Sequence, residues 1–243
     1  EADDLNKIAF WNATGSGKTL LLHVNIRQYL HYFQAGRSDH FPDKIILLTP
    51  NEGLSRQHLE ELHLSGFGFS QFFNKAQSPA RGTIEIIDIN KLGDEMGDKT
   101  VAVDAFEGNN LVLVDEGHRG TGTAAGAWMS RRETLVRGGF AFEYSATFKQ
   151  ALNANATGNT QQARDARALM EEYGKSIIMD YSYKYFYSDG YGKDYRIYNL
   201  QGTVDPEQKH LYLVGCLLSF YQQMKLFEVN ADALREFRIE KPL

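Results

Sequence analysis

The stretch FWNATGSGKTLLLH, residues 10–23, decides the fold of this chain. It joins an apolar segment typical of a buried strand, KIAFW, to a segment with helical spacing, TLLLHVNIRQYLHYF, through the loop TGSGKT. Gly15 and Gly17 allow a tight turn in which successive backbone amides face inward at a helix N-terminus. Because such a nest of amides attracts anions, the stretch predicts a loop that binds the phosphates of a nucleotide.

The residue types of this loop fit nucleotide binding. Lys18 would reach the β and γ phosphates, and the hydroxyl of Thr19 would ligate Mg²⁺. The full loop pattern begins with glycine, and Asn12 stands there instead. The alternative is a glycine-rich loop that binds no ligand. The position of the loop between a strand and a helix argues against this alternative. The predicted nucleotide-binding residues are Thr14, Gly15, Ser16, Gly17, Lys18 and Thr19.

A second motif, LVLVDEGHRG, places two carboxylates after another apolar strand. Asp115 would hold Mg²⁺ through water, and Glu116 would orient or deprotonate an attacking water. Two adjacent carboxylates can also form a solvated turn, but a phosphate loop in the same predicted sheet favours catalysis. Lys18, Asp115 and Glu116 are therefore the predicted catalytic residues. ATP hydrolysis with Mg²⁺ is favoured over phosphate transfer to a second substrate.

Apolar strands recur along the first 180 residues, several of them alternating with helical patterns. Further strand segments are KIILLT, TIEIIDI, LVLVD, GFAFEYS and KSIIMDY, and NEGLSRQHLEEL is a helical one. Short, continuous apolar strands are typical of a parallel sheet that is covered on both faces. The pattern predicts a doubly wound α/β fold with a mostly parallel sheet.

Beyond residue 180 the pattern changes. A tyrosine spacing of two favours a strand that ends in the turn SDG, with a helix as the alternative. We interpret the rings as packing the last strand and helix onto the core, and stacking of single-stranded bases is the alternative. The tyrosines are Tyr181, Tyr183, Tyr185 and Tyr187.

Residues 206–229 predict a long helix. They begin with Pro206 after Asp205, as the start of a helix does, and they carry a broad apolar face. Cys216 lies in the apolar run LYLVGCLLSF and is predicted to be a buried small hydrophobe. This run is too short for a membrane span.

The composition is typical of a globular chain and is not basic overall. Its 243 residues are 42% hydrophobic and carry a formal net charge of −5. Any nucleic-acid contact would therefore be a local patch. The first residues, EADDLNK, lack the pattern of a signal peptide, so the expected location is cytoplasmic, without a membrane partner.

Four motifs together resemble those of a known class of proteins. NATGSGKT, LLTPN, VDEGH and YSATF stand in the order and at the distances of motifs I, Ia, II and III of superfamily 2 helicases and translocases. DEGH is a variant of the DEAD/DEAH box, and the resemblance covers the first 148 residues. DEGHRG, FEYSATF and DGYGKDYRI are similar to the restriction subunit of type III restriction enzymes.

The resemblance implies roles for further residues. Three would couple the nucleotide site to nucleic-acid movement: His118, Ser145 and Thr147. Three others would lie near the nucleic-acid backbone, where hydroxyls, amides and a helix N-terminus can hold phosphates without reading bases: Thr49, Pro50 and Asn51. From the residues alone, TPN is a strand-to-helix turn with Asn51 as the helix cap.

The resemblance also implies an architecture and an activity. A RecA-like P-loop domain would cover residues 1–200, and residues 201–243 would form a helical extension and linker toward a second RecA-like domain. The activity would be ATP-driven movement on DNA, and double-stranded DNA is the expected partner. The domain would belong to a restriction enzyme that works with a methyltransferase or specificity subunit. The alternatives are a nucleotide-gated switch without translocation, an RNA-acting DEAD/DEAH-like helicase and, ranked last, a small-molecule phosphotransferase.

The chain departs from the full pattern of such motors. They bind ATP between two RecA-like domains, the second of which supplies an arginine to the transition state. The chain begins close to its first strand, ends at EKPL, which resembles the linker before the second domain, and shows no nuclease constellation. We therefore expect a fragment that binds nucleotide weakly and hydrolyses it slowly on its own.

Overall fold

The chain divides into two compact units, Glu1–Lys193 and Asp194–Leu243, in a computed structural model. The structure describes residues 6–35, 41–74, 76–93, 101–106, 108–116, 125–146, 148, 164, 167, 173–192, 206–237 and 241.

The first unit is built on a sheet of seven strands that all pair in parallel. The strands in chain order are β1 (Lys7–Asn12), β2 (Lys44–Thr49), β3 (Ser70–Phe72), β4 (Ile84–Asp88), β5 (Leu92–Gly93), β6 (Val101–Ala102), β7 (Asn110–Asp115), β8 (Phe140–Ser145) and β9 (Ile177–Tyr181). The order across the sheet is β3-β4-β2-β7-β8-β1-β9, and β5 and β6 pair separately. Every predicted strand up to KSIIMDY is confirmed, and the short strands β3, β5 and β6 are additions.

Helices cover both faces of this sheet. The helices of the first unit are α1 (Lys18–Ala35), α2 (Glu52–Leu64), α3 (Ala125–Val136) and α4 (Tyr183–Ser188). Because successive strand residues point to opposite faces, Leu48 of β2 packs in one apolar core with Leu135 of α3. Its neighbour Leu47 packs in the other core with Ile26 of α1 and Leu62 of α2. The first unit therefore has the doubly wound, RecA-like P-loop fold that the sequence predicts.

The strand order sets the geometry of the loops. Parallel strands present their carboxyl ends at one edge of the sheet, where ligand loops gather in open α/β folds. β8 lies between β1 and β7, so it separates the loop after β1 from the acidic pair by one strand. In the two registers, Ser145 lies beside Trp11 and Asp115 lies beside Tyr144. The end of β8 is thus flanked by both motifs.

The tyrosine-rich segment is a helix rather than a strand. β9 ends at Tyr181, Ser182 is the N-cap of α4, and its backbone amide donates to the carboxylate of Asp180. This local hydrogen bond gives the chain an alternative to the sheet ladder, so the predicted strand is wrong beyond Tyr181. Three of the tyrosines, Tyr183, Tyr185 and Tyr187, are 41%, 44% and 47% exposed, and the core-packing interpretation is wrong for them.

The second unit contains two described helices, α5 (Pro206–Val229) and α6 (Ala231–Glu236). The predicted long helix is confirmed. Cys216, predicted to be buried, is exposed. The prediction placed its apolar run in a core, whereas the run lies on α5 with Leu213 and Leu217 exposed as well. Among the described helices of the whole chain, none combines the length and apolarity that a membrane span needs.

Candidate active site

The loop after β1 has the backbone geometry of an anion-binding nest. Gly15 and Gly17 have φ angles of 82° and 89°, a region that side-chain-bearing residues rarely adopt. A Cβ at either glycine would meet no described atom within 4 Å, so the backbone angle, not space, requires glycine. α1 begins at Lys18, and the amide of Leu21 donates to the carbonyl of Gly17. The free amides of the helix N-terminus therefore open directly onto the loop.

The donor set of the loop fits a phosphate group. The Ser16 hydroxyl is buried, and the described residues offer it no hydrogen-bond partner. An unpaired buried hydroxyl costs about 1–3 kcal/mol, so an acceptor at this position would stabilise the loop. Of the rest of the predicted binding set, Thr14, Gly15 and Gly17 are exposed, and Lys18 and Thr19 are half-buried in the first turn of α1. These groups can hold a triphosphate and its Mg²⁺.

Asn12 fits at the position where the full loop pattern has glycine. It is the last residue of β1 and pairs in register with Tyr181 of β9. Its backbone is therefore still that of a strand, which any residue can adopt. The structure thus shows no need for glycine at this position.

The phosphate loop and the acidic motif meet in one site. The ammonium of Lys18 donates to Oε1 of Glu116 at 2.7 Å, across 98 residues of sequence. The two side chains are 13% and 21% exposed, so the ion pair is only partly screened by solvent. The predicted phosphate ligand and the predicted general base are therefore neighbours.

Glu116 holds an unusual backbone conformation. Its φ is 57°, and among the described residues other than glycine it alone has a positive φ. Such a conformation costs about 1–3 kcal/mol and is found mostly at active sites and switches. The strain therefore supports a functional role for this carboxylate.

Asp115 has a partner that the sequence analysis did not identify. Its Oδ2 lies 3.0 Å from Nε2 of His58, a residue of α2 that is only 3% exposed. His58 belongs to none of the four motifs of the sequence. The available signal was the helical spacing of Ser55, His58 and Leu62, which are the buried residues of α2. A buried polar residue on such a face needs a polar partner.

The predicted coupling residues lie only in part within the described chain. Ser145 is fully buried at the end of β8. Next to it, the indole of Trp11 in β1 donates to the carbonyl of Ala146 at 3.0 Å. The segment after β8 is thus tied to the strand that leads into the phosphate loop. His118 and Thr147 lie outside the described residues.

Three buried contacts, on both faces of the sheet, fix β8 itself. The amide of Asn25 in α1 donates to the phenol of Tyr144 at 2.7 Å, and burial raises the pKa of Tyr144 well above its usual value. On the opposite face, the Tyr173 hydroxyl donates to the Glu143 carboxylate at 2.6 Å, and the Arg132 guanidinium of α3 lies 3.3 Å from the same oxygen. Helices from both sides of the sheet therefore hold the strand that carries Ser145.

The predicted nucleic-acid residues form the turn from β2 to α2. The side-chain oxygen of Asn51 accepts from the amide of Leu54 at 2.9 Å, so the helix-cap interpretation is confirmed. The Thr49 hydroxyl is buried and lies 2.6 Å from the hydroxyl of Ser55. This internal contact occupies the group that was expected to face nucleic acid. Pro50 is half-buried and Asn51 is exposed, so these two are accessible.

The oxygen donors of the site suit magnesium. Within the described residues, no three His, Cys, Asp or Glu side chains form a metal-binding group. Mg²⁺ needs no such cage, because it takes one or two protein oxygens together with waters and substrate phosphates. Thr19 and Asp115 are oxygen donors of this kind.

Comparisons with known proteins identify a family and several similar solved structures. The model of the family described as type III restriction enzyme, res subunit, matches residues 2–154. No curated protein matches the chain. The crystal structure of T4 UvsW is similar, with a TM-score of 0.44 and 12% identity, over 93% of this chain and 42% of that one. The chain thus spans less than half of the length of that structure.

Proposed function

The chain belongs to the family of the type III restriction enzyme res subunit and carries a helicase-family ATPase motor domain, and we propose that this domain converts ATP hydrolysis into movement along double-stranded DNA. In this proposal it is the first of two RecA-like domains, covering residues 1–200. Residues 201–243 lead toward the second domain, and a methyltransferase or specificity subunit completes the enzyme.

The observation that carries the proposal is the contact between Lys18 and Glu116 at 2.7 Å. Lys18 belongs to the phosphate loop and Glu116 to the acidic motif, and hydrolysis needs both groups at one phosphate. Asp115 ends β7 directly before Glu116. A phosphate ligand, a Mg²⁺ ligand and a base for water are therefore available together.

The residues of this chain divide the work of hydrolysis. In the proposal, Lys18 exchanges its contact with Glu116 for the β and γ phosphates, while the loop amides hold the remaining phosphate oxygens. The released Glu116 carboxylate accepts a proton from water at its Oε atoms. Thr19 and Asp115 would hold Mg²⁺, which when bound would neutralise charge on the phosphates.

The proposal assigns the conversion to movement to residues around this site. Ser145, with His118 and Thr147, would relay the state of the nucleotide, and Pro50 and Asn51 would hold the nucleic-acid backbone. The second RecA-like domain would complete the site with an arginine. The buried position of Ser145 at the end of β8, between the two motif strands, supports its part in this relay.

The test is ATP hydrolysis by the full-length protein, with and without double-stranded DNA. The wild type should hydrolyse ATP faster when DNA is present. Glu116→Gln should retain nucleotide binding and lose about 10²- to 10⁴-fold in rate, the usual contribution of a general base. Lys18→Ala should lose both binding and hydrolysis, whereas Lys225→Ala, which removes an exposed lysine paired with Glu228, should change neither.

Other results would identify the alternatives. Full activity in both Lys18→Ala and Glu116→Gln would contradict the proposed site. Stimulation by RNA and not by DNA would indicate an RNA-acting helicase. Nucleotide binding without stimulation by any nucleic acid would favour a nucleotide-gated switch.

A further inference from the structure

The carboxylate of Asp115 is held by a side chain from a different element. Nε2 of His58 lies 3.0 Å from Oδ2 of Asp115, and the two residues are 57 positions apart in sequence. Both side chains are largely buried, at 4% and 12% exposure. The contact is therefore shielded from water, where hydrogen bonds to charged groups are strongest.

The direction of this hydrogen bond follows from the two groups. An ionised carboxylate only accepts, so Nε2 of His58 must donate. The other ring nitrogen, Nδ1, is buried, and the described residues give it no hydrogen-bond partner. A bare acceptor nitrogen is tolerated in a buried setting better than an orphaned donor, which supports the tautomer with its proton on Nε2. The imidazole thus has one bond to make, and that bond goes to Asp115.

The helix that carries His58 is firmly placed. Leu62, one turn further along α2, is fully buried in the core beneath the sheet. Ser55, about one turn before His58, contacts the hydroxyl of Thr49 at the end of β2. These neighbours on the same face of α2 fix the position from which His58 reaches the end of β7.

We propose that His58 is a positioning residue for the Mg²⁺ site: it binds Oδ2 of Asp115 and so orients the second oxygen, Oδ1, for the ion. The inference rests on the proposed function, because it takes Asp115 as the Mg²⁺ ligand. Residues that bind the ligands of a metal usually contribute 10- to 100-fold to metal affinity or activity. His58 would make such a contribution without touching ion or nucleotide.

The test compares nucleotide binding with and without magnesium. Binding of the fluorescent nucleotide mant-ATP to the chain is measured across a MgCl₂ titration and again in excess EDTA. In His58→Leu, the Mg²⁺ concentration for half-maximal binding should rise about 10- to 100-fold. Binding in EDTA should stay at the wild-type level, which a general loss of structure would not allow.

Conservative variants separate the contact from the loss of a buried ring. Glutamine places an amide donor near the position of Nε2, so His58→Gln should retain most of the wild-type Mg²⁺ dependence. Asparagine is too short to reach Asp115, so His58→Asn should shift it as leucine does. The matched control is His23→Leu, which removes another buried histidine, bonded to Ser65, and should leave the Mg²⁺ dependence unchanged.

Three outcomes would overturn the inference in distinguishable ways. Wild-type Mg²⁺ dependence in His58→Leu, with mant-ATP still bound, would exclude the positioning role and leave the proposed function intact. If the wild type binds no mant-ATP at any Mg²⁺ concentration, the proposed function fails as well. Should His58→Leu not fold, equal behaviour of His58→Gln and His58→Asn would overturn the role of the contact.

Discussion

The residues with chemical roles differ in how readily the sequence reveals them. Lys18, Asp115 and Glu116 belong to short motifs whose spacing follows from the chemistry of phosphate and magnesium, and the structure brings Lys18 and Glu116 into contact. His58 belongs to no motif, because its role depends on which strand end lies beside α2. Thr49 is the opposite of His58: it belongs to a motif that predicted a hydroxyl near nucleic acid, but packing buries this hydroxyl.

A buried histidine outside the site makes stability depend on pH. Burial, followed by the charge of nearby His58, lowers the pKa of His23, and Glu61 opposes this only in part. Since the unfolded chain takes up the proton first, stability falls as pH drops below about 6.5, the usual pKa of histidine. The midpoint temperature of thermal unfolding should therefore decrease as the pH is lowered from about 7.5 to about 5.5, and this decrease should be smaller in His23→Leu. Equal slopes in the two proteins would contradict this assignment.

The strands made of continuous apolar runs were predictable, because such runs are typical of a parallel sheet that is covered on both faces. The tyrosine segment was not, since a spacing of two also occurs on a short helix when local capping favours it. Its helix depends on Ser182 as the N-cap and on the bond from its amide to Asp180, which act over a few residues. Periodicity alone does not report such contacts.

A substitution at Gly139, directly before β8, tests how closely β7 and β8 approach each other. A Cβ on Gly139 would lie 2.1 Å from the carbonyl oxygen of Asn110, the first residue of β7. Gly139→Ala should therefore destabilise the protein by about 3 kcal/mol, the upper range for overpacking. The reason is that the nearest atoms all belong to the backbone of Asn110, which cannot move aside as a side chain can. Gly68→Ala, where a Cβ would meet no described atom within 4 Å, should stay within about 0.5 kcal/mol. Urea unfolding measures both, and equal effects would contradict the close approach.

For the whole molecule, the order of strands turns separate motifs into one site. The sequence predicts parallel strands but not their order, because the order depends on how crossover connections pack. With β8 between β1 and β7, the phosphate loop, Ser145 and the acidic pair all lie at one edge of the sheet. The second unit was predictable as a long helix, while the exposure of Cys216 depends on tertiary packing that its apolar neighbours do not reveal.

The most direct test of the account is the affinity of this chain for mant-ATP in the presence of MgCl₂. The wild type should bind, and Lys18→Ala should bind about 100-fold more weakly, which corresponds to the loss of a charged hydrogen bond of about 2–3 kcal/mol. Lys225→Ala should bind like the wild type. Equal affinities of Lys18→Ala and the wild type would contradict the claim that residues 14–19 bind the triphosphate.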